Sequence, residues 1–254
     1  MDLISKRLTD EEYKEKYIKS DYYQSTNFES RTYENWLNEQ ELQMFEDAAA
    51  SDDIWYEHDT GMAPEAQRLL GQDPKDHTTA KYFVFDNFYD KPAWKPLVDI
   101  IQPKLESSFG NGVKASHIHV LESHFPYGLH NDAEQANMQL APKPAWTLIV
   151  PLGDYPSKTY VFNERSGNKD PWSWIHENNI QANQQHCVDA ETYEKDFSPF
   201  TDYELLKYLT IESTFNWKRG SCFAADRFKY HCSDNYYNHG ITSKKAIIMW
   251  TSME

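Results

Sequence analysis

The sequence predicts a mainly β protein of the sandwich or barrel type, with α-helices packed outside the sheets. From residue 113 onward, short β-like segments follow one another, and Gly, Pro, Asn and Asp separate them. No helical pattern alternates with these segments, which disfavours a parallel α/β fold. A chain of 254 residues with 39% hydrophobic residues can bury one core. We therefore expect a single domain over residues 1–254, with the β core in residues 81–254.

Residues 1–80 are predicted to be a helical region that packs on this core. Residues 9–12 have the Thr-x-x-Glu pattern of a capping box, which predicts a first helix. A second helix is predicted from about residue 32 to residue 50, where apolar side chains recur at steps of three and four. A short helix is predicted over residues 64–70. The apolar stripe of the second helix consists of Tyr33, Trp36, Leu37, Met44, Phe45 and Ala48.

The β core is predicted to contain short strands and one further helix. Asp90 is predicted to cap that helix, and Pro96 and Pro103 to kink or shorten it. The predicted strands are residues 82–85, 116–121, 146–152, 159–162, 221–225 and 246–251.

Residues 163–216 interrupt the strand pattern. They are polar, carry tryptophans and have a helical pattern near residues 202–209. We interpret them as a long insertion between two strands, and we expect it at the mouth of the barrel, where insertions often carry specificity.

Charge, hydropathy and cysteine usage disfavour several classes of partner and indicate the cellular compartment. Twenty-five Lys and Arg against 40 Asp and Glu give a net charge of −15, which disfavours binding to nucleic acid and to anionic membranes. No apolar run approaches the ~18 residues of a membrane span, and the polar N-terminus does not have the pattern of a secretion signal. Cys187, Cys222 and Cys232 form no C-x-x-C motif. We therefore expect a cytoplasmic protein without disulfides.

Histidine and carboxylate side chains at two places indicate a metal site. In an extended segment, residues two apart point to the same face, so His130 and Asp132 can occupy adjacent positions on one ion. After the apolar strand 146–152, Gly220 opens a short strand and a polar corner that end at His231. Lys244 then opens the last strand. His239 is a second candidate for the distal ligand.

This order of motifs resembles the 2-oxoglutarate/Fe(II)-dependent dioxygenases, especially their prolyl-hydroxylase-like branch, over about residues 81–254 without the insertion. The resemblance implies a double-stranded β-helix, or jelly roll. It implies that His130, Asp132 and His231 bind Fe(II) and that Lys244 pairs with the distal carboxylate of 2-oxoglutarate. Two imidazoles and one carboxylate leave three positions open on Fe(II), which the family uses for 2-oxoglutarate and O₂. The implied reaction hydroxylates a C–H bond and releases succinate and CO₂.

The last strand departs from the family pattern near its cation. A lysine stands where arginine is commoner, and Ala246 stands where many relatives have a hydroxyl residue. Because lysine is a point charge rather than a bidentate fork, we expect a hydroxyl to assist Lys244, with Thr147 and Tyr127 as candidates. Strand alternation predicts Lys244, Ala246 and Ile248 on the inner face, and Lys245, Ile247 and Met249 on the outer face.

A different class of function is the alternative: a non-catalytic, cupin-like jelly-roll module for binding or structure. His117 and His119, followed by Glu122 and Gly128, approach the cupin signature, but the spacing is one residue short at two places. The simpler interpretation is that both histidines line the barrel wall. For the oxygenase, the substrate is expected to be a small molecule or a protein side chain.

Overall fold

The computed structural model describes residues 26–50, 56–58, 80–132, 144–167 and 170–253. The capping box predicted at the N-terminus and the short helix predicted around residue 67 lie outside these residues. Within the described residues, no helix combines the length and the apolar content that crossing a membrane requires.

The described residues form a mainly β structure of two antiparallel sheets, as predicted for the fold class. The larger sheet has the strand order β1-β8-β5-β10-β4-β3-β2 and the smaller one β7-β6-β9. The strands are β1 Arg31–Tyr33, β2 Tyr56–His58, β3 Ala80–Val84, β4 Val113–Ser123, β5 Pro144–Pro151, β6 Lys158–Arg165, β7 Ile211–Asn216, β8 Cys222–Asp226, β9 Lys229–Ser233 and β10 Lys244–Met253.

Four α-helices and three short 3₁₀ segments accompany the described strands. The α-helices are α1 Glu39–Ala50, α2 Lys95–Phe109, α3 Pro171–Glu177 and α4 Ala190–Asp196. The 3₁₀ segments are Pro92–Trp94, Tyr203–Tyr208 and Tyr236–His239.

The predicted start of α1 is wrong by seven residues. Asn38 and Glu41 form a reciprocal capping box, in which the Glu41 backbone N–H donates to Asn38 Oδ1 at 3.0 Å and the Asn38 N–H donates to Glu41 Oε2 at 2.8 Å. Residues 31–33 pair instead with β8 as an edge strand. The described part of residues 1–80 therefore contains strands as well as a helix.

Helix α2 also differs from its prediction. It follows the 3₁₀ segment and begins at Lys95, with Trp94 rather than Asp90 at its N-cap position. Pro103 lies inside the helix, which continues to Phe109, so this proline does not shorten it.

We expect Asn38→Ala to lower the free energy of unfolding by about 1 kcal/mol, because the first turn of α1 loses its side-chain acceptor. Thermal or urea unfolding measures the change. Gln43→Ala, on the exposed side of the same helix, is the control and should change stability less. Equal effects of the two substitutions would contradict the capping role.

The outer face of the larger sheet packs against α1 and α2. Alternate residues of the central strands point this way and share one buried apolar cluster with the helices. Its central members are Ile118, Val120, Leu148, Val150, Ile247 and Met249 from the sheet, and Leu42, Phe45, Leu97 and Ile101 from the helices.

The inner face of the larger sheet packs against the smaller sheet. Ala246 and Ile248 of β10 share a buried cluster with Val161 of β6 and Phe215 of β7. The predicted alternation along β10 is therefore confirmed. The two sheets enclose the space that holds the polar residues described below.

The insertion between β6 and β7 packs mainly behind the smaller sheet. Its buried residues Val188, Phe197 and Leu206 contact strand residues Tyr160 and Tyr230. These strand residues alternate with Val161 and His231, so the cluster covers the face opposite His231. The prediction that the insertion lies at the mouth of the barrel is wrong for this part of it.

Another part of the insertion, around Phe200, does reach the loop that leads to His130. The Phe200 and Phe125 rings are 4.9 Å apart. A Cβ atom on Gly128 would lie 2.6 Å from the Phe200 carbonyl oxygen, so this close backbone approach requires glycine.

Candidate metal centre

Backbone hydrogen bonds bring three predicted ligands together from two distant parts of the chain. The N–H of His130 donates to the carbonyl of His231 at 3.0 Å, and the N–H of His231 returns the bond at 2.8 Å. The N–H of Asp132 donates to the carbonyl of Arg227 at 3.0 Å. As a result, one potential ligand atom from each of His130, Asp132 and His231 lies within 4.8 Å of the others.

The two imidazoles are oriented with Nε2 available as a ligand atom. Nδ1 of His130 is 2.7 Å from the carbonyl of Gly128, and Nδ1 of His231 is 3.2 Å from the carbonyl of Lys229. A carbonyl only accepts, so Nδ1 carries the proton in each ring and Nε2 keeps its lone pair. Nε2 of His231 lies 3.6 Å from Asp132 Oδ2.

Asp132 is held as a carboxylate. Burial raises its pKa, but the neighbouring His231 and His130 and a hydrogen bond from the Thr147 hydroxyl outweigh burial and lower the pKa overall. Thr147 Oγ1 donates to Oδ2 at 2.5 Å. The Thr147 hydroxyl, one of the two predicted to assist Lys244, thus forms its hydrogen bond with Asp132 and orients that carboxylate.

Lys244 occupies the other end of the enclosed space, 3% exposed. Its Nζ donates to Ser157 Oγ at 2.9 Å and to Ser233 Oγ at 2.8 Å. The ammonium also lies 3.8 Å from the centroid of the Trp217 ring and 4.8 Å from that of Tyr236, a cation–π arrangement. Burial lowers the pKa of Lys244 to about 7.

Lys245 has the opposite environment, as strand alternation predicts. Its ammonium pairs with Glu122 at 3.1 Å, and 44% of its side chain is exposed. The two adjacent lysines therefore lie on different faces of β10.

Tyr127 lies between the two ends of the space. Its carbonyl accepts from the N–H of Ser233 at 2.8 Å, and its ring centroid is 5.8 Å from that of His130. Burial raises the pKa of the phenol to about 12, so Tyr127 stays neutral. A role for its hydroxyl toward the co-substrate stays a prediction.

Three rings on the inner face form a wall beside the three ligands. Trp250 of β10 is paired with His117 of β4 on one side and with Thr147 of β5 on the other, so the three side chains lie in one row across the sheet. The hydrogen bond from Thr147 to Asp132 places this row beside the ligands. The His117 ring stacks on Trp250 at 4.6 Å, and His119 packs edge-on at 5.5 Å.

Both wall histidines are uncharged at neutral pH, because burial lowers the pKa of His117 to about 4 and that of His119 to about 3. The interpretation that they line the wall is confirmed, since Ile118 and Val120 point into the outer core. In the described residues, neither belongs to a cluster that could hold a metal.

His239 lies away from the three ligands. Its Nε2 is 3.6 Å from Asp234 Oδ2, and it is not part of the metal cluster. Its rank as the second candidate is therefore justified by the structure.

Sequence reasoning did not identify Ser157, Ser233, Asp234, Trp217 and Tyr236 as the surroundings of Lys244. Ser233 carried a usable signal, since it stands two residues after His231 and must share its face in a strand. The others are brought to Lys244 by the packing of the sheets and connecting segments, and no local motif marks them.

No protein-family model matches the chain, and no curated protein matches it in sequence. Solved structures do match. The non-haem alpha-ketoglutarate-dependent epimerase SnoN from nogalamycin biosynthesis matches with a TM-score of 0.52 and 12% identity, over 88% of this chain and 78% of that chain. The complex of SnoN with Fe³⁺, alpha-ketoglutarate and nogalamycin RO matches with a TM-score of 0.50 and 12% identity, over the same shares.

HygX from Streptomyces hygroscopicus, with nickel, 2-oxoglutarate and hygromycin B bound, matches with a TM-score of 0.50 and 10% identity, over 91% of this chain and 84% of that chain. These likenesses show that the chain shares the fold of 2-oxoglutarate-dependent non-haem enzymes. The fold is therefore the one that the resemblance implied, while membership of the superfamily and of its prolyl-hydroxylase-like branch stays a prediction.

Proposed function

We propose that the protein is an Fe(II)- and 2-oxoglutarate-dependent oxygenase built on a double-stranded β-helix. The observation that carries this proposal is the convergence of His130, Asp132 and His231, with both Nε2 atoms available. The fold shared with SnoN supports it.

The donor set fits Fe(II). Two neutral imidazoles and one carboxylate form the facial arrangement typical of non-haem iron oxygenases. The carbonyls behind the imidazoles and Thr147 behind Asp132 hold each donor in place. Bound there, iron and 2-oxoglutarate would supply the oxidising chemistry, and the protein supplies the binding and the orientation.

The inner face also fits a five-carbon dicarboxylate. His231 and Ser233 are two residues apart on one face of β9, a separation of about 6.6 Å. The Ser233 hydroxyl contacts Lys244. We propose that one end of 2-oxoglutarate binds the metal and that its far carboxylate binds Lys244, with Ser157 and Ser233 as the assisting hydroxyls.

The substrate side of the site is proposed to be the wall of His117, His119 and Trp250. These rings are uncharged and lie beside the metal ligands. The likeness to SnoN and HygX, which were solved with nogalamycin RO and hygromycin B, favours a small molecule over a protein side chain. SnoN is an epimerase, so proteins of this fold catalyse more than one kind of reaction. Among these reactions, we propose hydroxylation of a C–H bond for this protein.

Anaerobic addition of Fe(II) and 2-oxoglutarate tests the function directly. We expect the weak visible charge-transfer band of the metal–keto-acid chelate, and slow succinate formation once O₂ is admitted. Asp132→Ala should remove both signals, because it removes a ligand. Absence of the band in the wild-type protein would contradict the proposal and favour the non-catalytic module.

A further inference from the structure

Among the residues that the structure describes, the ammonium of Lys244 is buried without a direct anionic partner. Within the described part of the chain, its polar contacts are the hydroxyls of Ser157 and Ser233, and no carboxylate forms an ion pair with it. Burying an ammonium away from any counter-charge is costly. The structure should therefore hold a compensating charge close by.

Asp234 stands one hydroxyl group away. Ser157 Oγ donates to Asp234 Oδ1 at 2.6 Å and accepts from Lys244 Nζ at 2.9 Å. Because the single hydroxyl proton of Ser157 points at Asp234, its lone pairs face the ammonium. The carboxylate of Asp234 thus orients the Ser157 hydroxyl so that its oxygen accepts the hydrogen bond from Lys244.

Asp234 is itself fixed in place. Its Oδ2 accepts from the backbone N–H of Lys158 at 2.8 Å, and its own N–H donates to the carbonyl of Lys158 at 3.0 Å. The residue is 0% exposed. A carboxylate anchored at both its side chain and its backbone cannot turn toward the solvent.

We propose that Asp234 is a positioning residue that acts through Ser157 as the counter-charge of Lys244, and that it thereby sets how strongly this end of the site binds the far carboxylate of 2-oxoglutarate. The part of this inference that concerns 2-oxoglutarate rests on the proposed function. The part that concerns the charge of Lys244 does not.

The other ionisable groups around Lys244 do not replace Asp234. Burial raises the pKa of the Cys232 thiol to about 12 and also raises that of the Tyr236 phenol, so both are neutral. His239 faces Asp234 rather than Lys244. The ammonium of Lys158 pairs with Asp196 at 3.0 Å.

Burial raises the pKa of Asp234, and the ammonium of Lys244 and the hydrogen bonds from Ser157 and Lys158 oppose this rise and favour the carboxylate. These charges determine the sign of the pH dependence. Burial lowers the pKa of Lys244, whereas Asp234 raises it, and the result is about 7. A carboxylate ligand binds the charged form, so its affinity should fall as the pH rises through about 7. Without the charge of Asp234, the pKa of Lys244 is lower, and the fall should begin at a more acidic pH.

The experiment titrates 2-oxoglutarate into the Ni(II)-loaded full chain by calorimetry, on both sides of neutral pH. We expect Asp234→Asn to weaken binding about tenfold at mildly alkaline pH, as for a pKa lowered by about one unit. At mildly acidic pH, where both proteins keep much of the charge on Lys244, the variant should bind within about twofold of the wild type. Glu122→Gln, which removes the partner of Lys245 on the same strand, is the matched control and should leave both values unchanged.

A second readout needs no ligand. The pKa of Lys244, followed by NMR in the chain without 2-oxoglutarate, should fall in Asp234→Asn and stay constant in Glu122→Gln. Ser157→Ala should lower it in the same direction, since it cuts the connection while keeping both charges. This second variant also serves if Asp234→Asn does not fold.

The outcomes are distinguishable. An unchanged Lys244 pKa in Asp234→Asn overturns the counter-charge, and an unchanged pH profile of 2-oxoglutarate binding overturns its effect on the site. If the wild-type protein does not bind 2-oxoglutarate, the proposed function is wrong. In that case the pKa of Lys244 in the Asp234→Asn variant still tests whether Asp234 is the counter-charge.

Discussion

Replacing His231 with alanine is expected to abolish the retention of Fe(II). The substitution removes one of three donors that lie within 4.8 Å of one another. The loss should exceed the 10- to about 100-fold typical of removing a residue that only supports a ligand. Metal content after anaerobic loading, or the affinity for Ni(II) by calorimetry, measures it.

His117→Ala is the control for this result. His117 is also an inner-face imidazole, but in the described residues it lies outside the metal cluster, so the variant should keep the metal. Retention of iron by His231→Ala, or its loss in His239→Ala, would show that the ligand set is assigned wrongly.

Replacing Lys244 with alanine should weaken the binding of 2-oxoglutarate by about 2–5 kcal/mol while the metal still binds, because a buried carboxylate loses its charged partner. Lys245→Ala should bind 2-oxoglutarate like the wild type, since Lys245 lies on the outer face with Glu122. The measurement is a titration of the metal-loaded protein with 2-oxoglutarate.

The reverse pattern in the two lysine variants would mean that the register of β10 is wrong by one residue and that Lys245, not Lys244, faces the co-substrate. If neither variant changed the affinity, the co-substrate would have to bind elsewhere, and the metal site would serve a different chemistry.

Five strands of the larger sheet, β3, β4, β5, β8 and β10, could be predicted because their sequences are apolar or alternate in polarity. The three-residue strands β1 and β2 have neither pattern and were not predicted. The segment at residues 246–251 became the central strand β10, and its two faces followed from alternation alone. Strand β9 was missed because all five of its residues are buried although three are Lys, His and Ser. Its burial comes from the insertion on one side and the larger sheet on the other, and neither is visible locally.

The metal ligands could be predicted for a different reason. His130 and Asp132 are close in sequence, and the lead-in from Gly220 to His231 marks a turn, a short strand and a polar corner in order. The surroundings of Lys244 have no such order. Ser157 and Asp234 are 77 positions apart in the chain, and only the packing of the strands shows that they meet.

The N-terminal region shows a competition between local signals. The apolar stripe beginning at Tyr33 is compatible with a helix, but Tyr33 pairs with Cys222 in a strand. The capping box at Asn38 and Glu41 then determines where α1 begins. The Asn-x-x-Glu pattern of this capping box is present in the sequence, but the longer periodic pattern of apolar residues led to a prediction of an earlier helix start.

The alternation along β4 separates two kinds of mutational change. Ile118 and Val120 are packed against helices, so altering their volume would leave cavities or strain in the core. His117 and His119 face the enclosed space beside the metal ligands. Under the proposed function, a library restricted to these two positions would change which molecules the pocket accepts while leaving the outer core intact, which makes this strand a favourable place to redesign selectivity.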